Sequence, residues 1–506
     1  MNSGYKFTRR QVYSALKNYF GYDEFRDGQA DIVREILKGR DLFTVMPTGG
    51  GKSLCYQLPS ILLDGVTVVI SPLISLMKDQ VDSANANGIG AAFLNSSIDF
   101  DEQRATVSDV INGKVSLLYV APERISSPGF INLLGSLKIA LFAIDEAHCI
   151  SQWGHDFRPD YMEISTVTSM FPHAPVASFT ATATRKVQDD IIDRLVLREP
   201  FISRHSFDRP NLFIETRPKK SVVKQLIHEV EVRKNQPGII YRTTRKDVEK
   251  TALELTAHNI KCVPYHAGLI KEEREKNQDL FNNDKVDVVV ATIAFGMGID
   301  KSNIRYVLHG DLPKNIEGYY QEIGRAGRDG ERAECIMFYG RGDISRIKYF
   351  LDQMENSKER SFQLKALYKM YDLAESNDCR RKSILNYFDE EYTVKNCGNC
   401  DVCSGTLKRT AKKKLEKVKA ENSDKSSSFD VKSYDSALFE ELRSVRLLIA
   451  RSSKVPPFVV FSDATLIDMA IKKPATPNEF LNIKGVGVIK YKKYGTIFLK
   501  VIKEFQ

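Results

Sequence analysis

The chain has 506 residues, 42% hydrophobic and 27% charged, with 74 Lys and Arg against 65 Asp and Glu for a formal charge of +9. That length suggests several domains, and the composition excludes a disordered chain. Apolar runs such as 139–144 and 288–291 fall far short of the ~18 residues of a membrane span, the first twenty residues hold no apolar h-region, and eight cysteines are too few for a disulfide scaffold, so a soluble cytoplasmic protein is expected.

Short β-branched runs come first, at 41–46, 66–71, 115–120, 139–145 and 176–181, with helical patterns between them. A second series follows at 238–241, 260–265, 286–291, 304–309 and 334–339. Continuous apolar strands alternating with helices predict parallel sheets covered on both faces. The fold class is therefore α/β, with tandem parallel-sheet lobes over 1–206 and 207–343. They join near Ser206–Asn211, where Arg209-Pro210 favours an extended link. Residues 344–403 read as a helical subdomain ending in a cysteine cluster. Residues 404–433 read as a basic flexible linker, and 434–506 as a small all-α domain.

Residues 44–59, TVMPTGGGKSLCYQLP, follow a predicted strand and open a helix, the setting of a phosphate-binding loop. Thr48, Gly49, Gly50 and Gly51 let backbone N–H groups wrap phosphates, Lys52 reaches the β/γ oxygens and Ser53 ligates Mg²⁺. Met46 stands where the strict pattern has Gly, so the loop has the relaxed form. In AIDEAH, Asp145 at a strand end can hold Mg²⁺ while Glu146 polarises the attacking water. Two acids and a lysine so placed fit phosphoryl transfer to water, an NTPase. In QEIGRAGRDG, Gln321, Arg325 and Arg328 share one face if the segment is helical. They read either as arginine fingers reaching the γ-phosphate or as a solvated basic face. In SQWGHDFRPDY, Trp153 (the chain's one tryptophan), Phe157 and Arg158 read either as a stacking platform for single-stranded bases or, as a lone tryptophan more often does, as core, although the Gly- and Pro-bounded polar setting argues against burial. Cys379, Cys397, Cys400 and Cys403 follow C-x17-C-x2-C-x2-C, a closed tetrahedral zinc site with a structural role. In IKGVGVIKYKKYG, the Gly485-x-Gly487 turn with Lys484, Lys490, Lys492 and Lys493 reads as a phosphate contact or as a solvated helix.

Together these motifs resemble superfamily-2 helicases, and specifically the RecQ family of ATP-dependent DNA helicases. The resemblance implies two RecA-like lobes, and in FGYDEFRDGQ an adenine site where Tyr22 stacks on the base while Arg26 and Gln29 bond its edge; a surface helix start explains those residues equally well. SPLISLMKDQ is similar to motif Ia and FTATAT to motif III. ATIAFGMGIDK is similar to motif V, where Gly298 and Asp300 couple the lobes. Arg380 and Arg381 resemble a cation pair that touches phosphates, and 434–506 resembles an HRDC domain. GIIYRTTR departs from the family by placing Arg242 where members commonly have Cys. The family also implies 3′-to-5′ movement, a role in recombination and repair, single-stranded and forked DNA as substrates, a single-stranded-DNA-binding protein as a candidate partner, and a monomer. Its members mostly carry a winged helix of about a hundred residues between the zinc ligands and HRDC, and the thirty-residue linker leaves no room for one.

The linker also locates the charge. Residues 404–432 carry eight Lys and one Arg against four acids, and 433–506 carry twelve Lys and Arg against seven acids, each a net +5, which leaves 1–403 at −1. Auxiliary DNA affinity is expected in that basic C-terminal fifth. The expected function is an ATP-dependent DNA helicase using ATP, Mg²⁺ and Zn²⁺. A translocase that does not unwind, and a zinc-bearing scaffold with a dead ATPase, are the alternatives.

Overall fold

The computed structural model describes residues 7–505 except 73, 96–97, 155, 294, 296–300, 355, 407–433 and 454. The first sheet contains β1 (Leu42–Val45), β2 (Val66–Ile70), β3 (Ala91–Leu94), β4 (Leu117–Val120), β5 (Ile139–Ile144), β6 (Val176–Thr180) and β7 (Phe201–Arg204). Its order is β3-β4-β2-β5-β6-β1-β7, and every pairing is parallel. The second contains β8 (Leu212–Pro218), β9 (Gly238–Tyr241), β10 (Cys262–Tyr265), β11 (Val288–Ala291), β12 (Tyr306–His309) and β13 (Ala333–Tyr339). It runs β10-β11-β9-β12-β13-β8, again all parallel.

Alternation along each strand separates two cores. Phe43, Val45, Val68, Ile70, Phe142 and Ile144 face one side of the first sheet, whereas Leu42, Val69, Leu141 and Ala143 face the other. Both sets are buried because helices cover both faces, which is why these strands read as unbroken apolar runs. The second sheet divides likewise: Ile239, Val289 and Val307 join the large shared core, and Ile240, Val288, Val290 and Leu308 form a separate one. Sequence reading missed β3, β7 and β8. All three are edge strands, and in Phe201–Arg204 and Leu212–Pro218 half-exposed or exposed residues interrupt the apolar run.

The shared core continues into the cysteine-bearing module through Leu367, Met370, Leu373, Ile384 and Leu385. Its helices span Arg341–Leu351, Ser357–Glu375 and Arg380–Tyr387. An isolated parallel bridge pairs Ile214 of β8 with Cys400, so the cysteine turns extend the edge of the second sheet. Residues from 434 onward make a compact helical unit with its own core, including Leu438, Leu442, Leu466, Phe480 and Phe498. Its long helix Ser436–Ser453 is tied to the helix Asp463–Lys472 by Arg446, whose buried guanidinium donates to Asp463 at 2.6 Å.

Candidate functional site

A cavity of 780 Å³ opens at the carboxyl ends of the first sheet's strands and is closed from the other side by the second lobe. It is lined by Thr48, Gly49, Gly51, Lys52, Ser53, Asp145 and Glu146 from the first lobe and Gln321, Arg325 and Arg328 from the second. The loop after β1 turns into the helix Lys52–Leu62 through Gly51, at φ +88°. A Cβ there would lie 2.4 Å from the Gln29 amide nitrogen, so both the left-handed backbone and the space require glycine. Gln29 in turn donates to the Gly50 and Gly51 carbonyls at 3.2 Å, and Arg26 donates to the Gly49 carbonyl at 2.6 Å. These two residues, expected on the adenine edge, thus also fix the shape of the phosphate loop. Tyr22 lines the same cavity.

Lys52 Nζ reaches back to the Met46 carbonyl at 3.4 Å, inside the loop. Asp145 accepts from the Glu146 N–H at 3.0 Å, and Glu146 sits at φ +48°, a backbone that costs a non-glycine residue about 1–3 kcal/mol. Its carboxylate lies 3.4 Å from His148 Nδ1, which also meets Thr180 Oγ1 at 3.0 Å. Among the described residues, Nε of Arg325 has no hydrogen-bond partner, and the buried Glu146 carboxylate oxygen has only that 3.4 Å approach of His148. Desolvated polar atoms facing a cavity suit a site built for a polar, charged occupant, so the residues fit Mg-ATP: Ser53 and Asp145 would hold the ion, which supplies charge neutralisation at the phosphates.

The arginines differ from expectation in one respect. The helix Ile316–Ile323 ends at Gly324, so Arg325 and Arg328 stand on the turns that follow it rather than on one helical face. Gly327, at φ +56°, keeps the segment from continuing as helix. Gln321 donates to Thr182 Oγ1 of the first lobe at 3.3 Å. Arg209, on the link between lobes, was not singled out by sequence. It donates to the Thr48 carbonyl (2.6 Å) and to those of Gly324 (3.2 Å), Ala326 (3.0 Å) and Gly327 (3.0 Å), bracing phosphate loop to arginine turn. Burial pulls its pKa down, yet a guanidinium stays charged. The Arg209-Pro210 pair marked the link but not this function. Gly298 and Asp300 lie outside the described residues.

The C-terminal helical unit supplies a third wall. Phe458, Ser462, Thr465, Lys472, Asn482, Lys484 and Lys490 line the cavity mouth. The Gly485 N–H donates to the Gly21 carbonyl at 3.2 Å, beside Tyr22, and Asp463 accepts from Asn303 of the second lobe. Lys484 and Lys490, expected on DNA, face this cleft in the docked arrangement. Burial, with Lys493 nearby, brings the Lys490 pKa to about 8.

Trp153 is 42% and Phe157 36% exposed, in the accessible setting expected for a platform. Arg158 instead pairs with Asp156 and donates to the Pro72 carbonyl at 2.9 Å. The four sulfurs of Cys379, Cys397, Cys400 and Cys403 lie within 4.8 Å of one another. Backbone N–H groups of Asn399 and Cys403 point at the Cys397 and Cys400 sulfurs at 3.4 Å. Convergent sulfurs receiving N–H donors fit a thiolate-held zinc ion. The DNA contact expected of Arg380 and Arg381 needs correction. Arg380 is 1% exposed and donates to Asp401 at 2.9 and 3.2 Å and to the Leu373 and Ser376 carbonyls. Arg381 is buried on Asp208 and the Arg209 and Leu212 carbonyls. Their donors are spent inside the fold because the cysteine module needs cations to neutralise Asp401 and to cap free carbonyls. Arg242 is likewise buried, bonded to Asp311 at 2.8 Å and Thr251 at 2.5 Å. Burial opposes ionisation of Asp311, but Arg242 and Lys219 outweigh it and hold its pKa well below the usual range. Among the other cysteines, Cys55, Cys149 and Cys335 are buried, and burial pushes the Cys55 thiol up to about 12.

Residues 26–190 match the DEAD/DEAH box helicase family and 218–330 the helicase conserved C-terminal domain. Residues 341–404 match the RecQ zinc-binding family and 435–502 the HRDC domain. An ATP-dependent DNA helicase RecQ of Pasteurella multocida is 37% identical, covering 98% of this chain and 94% of its own length. That of Bacillus subtilis is 36% identical, over 97% and 98%. The first alignment runs over 595 positions against a 506-residue chain, so at least 89 positions of the relative have no counterpart here. Only about thirty residues separate the zinc-binding match from the HRDC match. In fold, the chain is similar to the Mycobacterium smegmatis helicase Lhr bound to ssDNA and AMP-PNP, with TM-score 0.55 and 19% identity over 69% of this chain and 50% of that one. With four family matches in sequence order and relatives aligned end to end, the chain belongs to the RecQ family of ATP-dependent DNA helicases.

Proposed function

We propose that the chain couples hydrolysis of Mg-ATP to 3′-to-5′ movement along one DNA strand and to unwinding, in recombination and repair. The observation that carries this is the two-sided cleft, where Lys52, Asp145 and Glu146 of one lobe face Gln321, Arg325 and Arg328 of the other. Lys52 and the two arginines stabilise charge on the γ-phosphate, and Glu146 orients and deprotonates water. Because half the site belongs to each lobe, nucleotide closes the cleft and its loss reopens it, which steps a strand held across both lobes. Residues 1–206 and 207–343 act as the two motor lobes, 344–403 as a zinc-stapled brace, 404–433 as a tether and 434–506 as an auxiliary module. It works as a monomer in the cytoplasm on single-stranded and forked DNA, beside a single-stranded-DNA-binding protein.

The short spacing between zinc module and HRDC favours a second reading, a translocase that hydrolyses ATP without separating strands. One experiment separates them: ATP hydrolysis with and without single-stranded DNA, together with unwinding of a forked duplex. DNA-stimulated hydrolysis that Lys52→Ala abolishes, with strand separation, is the expected outcome. Stimulation without separation supports the translocase, and hydrolysis indifferent to DNA or to Lys52→Ala refutes both.

A further inference from the structure

The exposed face of Trp153 is already occupied. The Lys186 ammonium sits 3.1 Å from the Trp153 ring centroid, closer than a stacked base would come. Lys186 belongs to the helix Arg185–Arg194, which begins directly after FTATAT. On another side of the indole, Phe362 of the helix Ser357–Glu375 makes an edge contact, with centroids 6.2 Å apart and planes at 71°. Phe362 is itself 37% exposed. Three segments far apart in sequence therefore bring an indole, a phenyl ring and an ammonium to one surface, where exposed apolar rings have no structural need to be.

We propose that Trp153, Lys186 and Phe362 form one single-strand-binding subsite, in which Lys186 covers the indole in the DNA-free protein and moves to a backbone phosphate when a base replaces it. Resting on the DNA-translocating reading above, the proposal adds two residues to it. An exposed cation–π contact is weaker than base–aromatic stacking, so an incoming base displaces the ammonium. The ammonium then needs an anion, and each base carries a phosphate. Lys186 also stands next to the segment whose Thr182 accepts from Gln321 and whose Thr180 meets His148, so its departure is felt where Glu146 is held.

Trp153 is the chain's single tryptophan among 21 tyrosines, so emission excited at the red edge, where tyrosine does not absorb, reports on this indole. The full-length protein is titrated with an unstructured oligothymidylate while anisotropy of a labelled copy follows binding. Wild-type emission changes on binding. In Lys186→Ala the DNA-free emission differs from wild type, the DNA-saturated emissions coincide, and the slope of log affinity against log salt falls by about 0.7, one phosphate on a single strand. Lys186→Arg restores the slope. Phe362→Ala weakens binding about five- to tenfold with the slope unchanged. Both side chains are at the surface, and unchanged zinc content and melting confirm folding. DNA that binds without moving Trp153 emission, or an unchanged slope in Lys186→Ala, overturns the subsite and leaves the helicase reading intact. No DNA binding by wild type would remove both.

Discussion

Docking of the HRDC unit over the nucleotide cleft can be tested with two glycines that differ in one respect. Gly21 and Gly39 both have left-handed backbone, at φ +73° and +76°. Alanine costs about 1–2 kcal/mol at either from the backbone alone. A Cβ on Gly39 meets nothing within 4 Å, whereas on Gly21 it lies 2.4 Å from both N and C of Val486. Ordinary contact begins near 3.4 Å, so the HRDC turn must retreat by about 1 Å, and those atoms are backbone. Retreat breaks the Gly485 to Gly21 hydrogen bond, and forced displacement of a packed contact costs about 1–3 kcal/mol. Gly21→Ala should therefore destabilise by about 2–5 kcal/mol and Gly39→Ala by about 1–2 kcal/mol. The excess shifts the docking equilibrium roughly 5- to 150-fold toward release. Hydrogen exchange of peptides spanning 16–22 and 483–490, with denaturant unfolding in parallel, reads both quantities. Equal protection of these peptides in the two variants would refute a docked HRDC unit.

Other outcomes follow from the same contacts. Arg380→Ala strands the buried Asp401 carboxylate, so it should cost about 3–5 kcal/mol and lower zinc retention in a metal assay; a folded, zinc-loaded variant with a smaller salt slope for DNA binding would instead put Arg380 on DNA. Cys397→Ser should release zinc and melt the module, seen by metal analysis and circular dichroism, while chelation of the wild type gives the same loss. Arg209→Ala removes the brace between the phosphate loop and the arginine turn, and should reduce kcat/KM for ATP about 10- to 100-fold, equivalent to about 1.4–2.7 kcal/mol; unchanged kinetics would show the brace to be dispensable. Lys490 has its pKa lowered to about 8 when docked, from 10.5. The docked state thus binds fewer protons across that window, and docking should tighten as pH rises from about 8 to 10. Energy transfer between dyes on the first lobe and the HRDC unit checks this, and the Lys490→Met variant should lose the dependence.

Local chemistry wrote much of this protein into its sequence. Strands buried on both faces announce themselves as apolar runs, as in Ile139–Ile144 and Val288–Ala291. The phosphate loop, Asp145-Glu146 and the four cysteines were legible because each works through neighbours at fixed short spacing. What depends on distant partners was not legible. Arg380 and Arg381 look like a cation pair for DNA until the fold supplies Asp401 and Asp208. Arg209 looks like a linker residue until four carbonyls from two lobes converge on it. The edge strands β3, β7 and β8 lack the double-sided burial that makes a strand readable. The positions of Lys484 and Lys490 on the nucleotide cleft, and of Lys186 on Trp153, follow from how separately folded units pack. Sequence thus determined which chemical groups the chain owns; the tertiary structure decided which charges remain available, because burial and pairing are properties of three-dimensional neighbours.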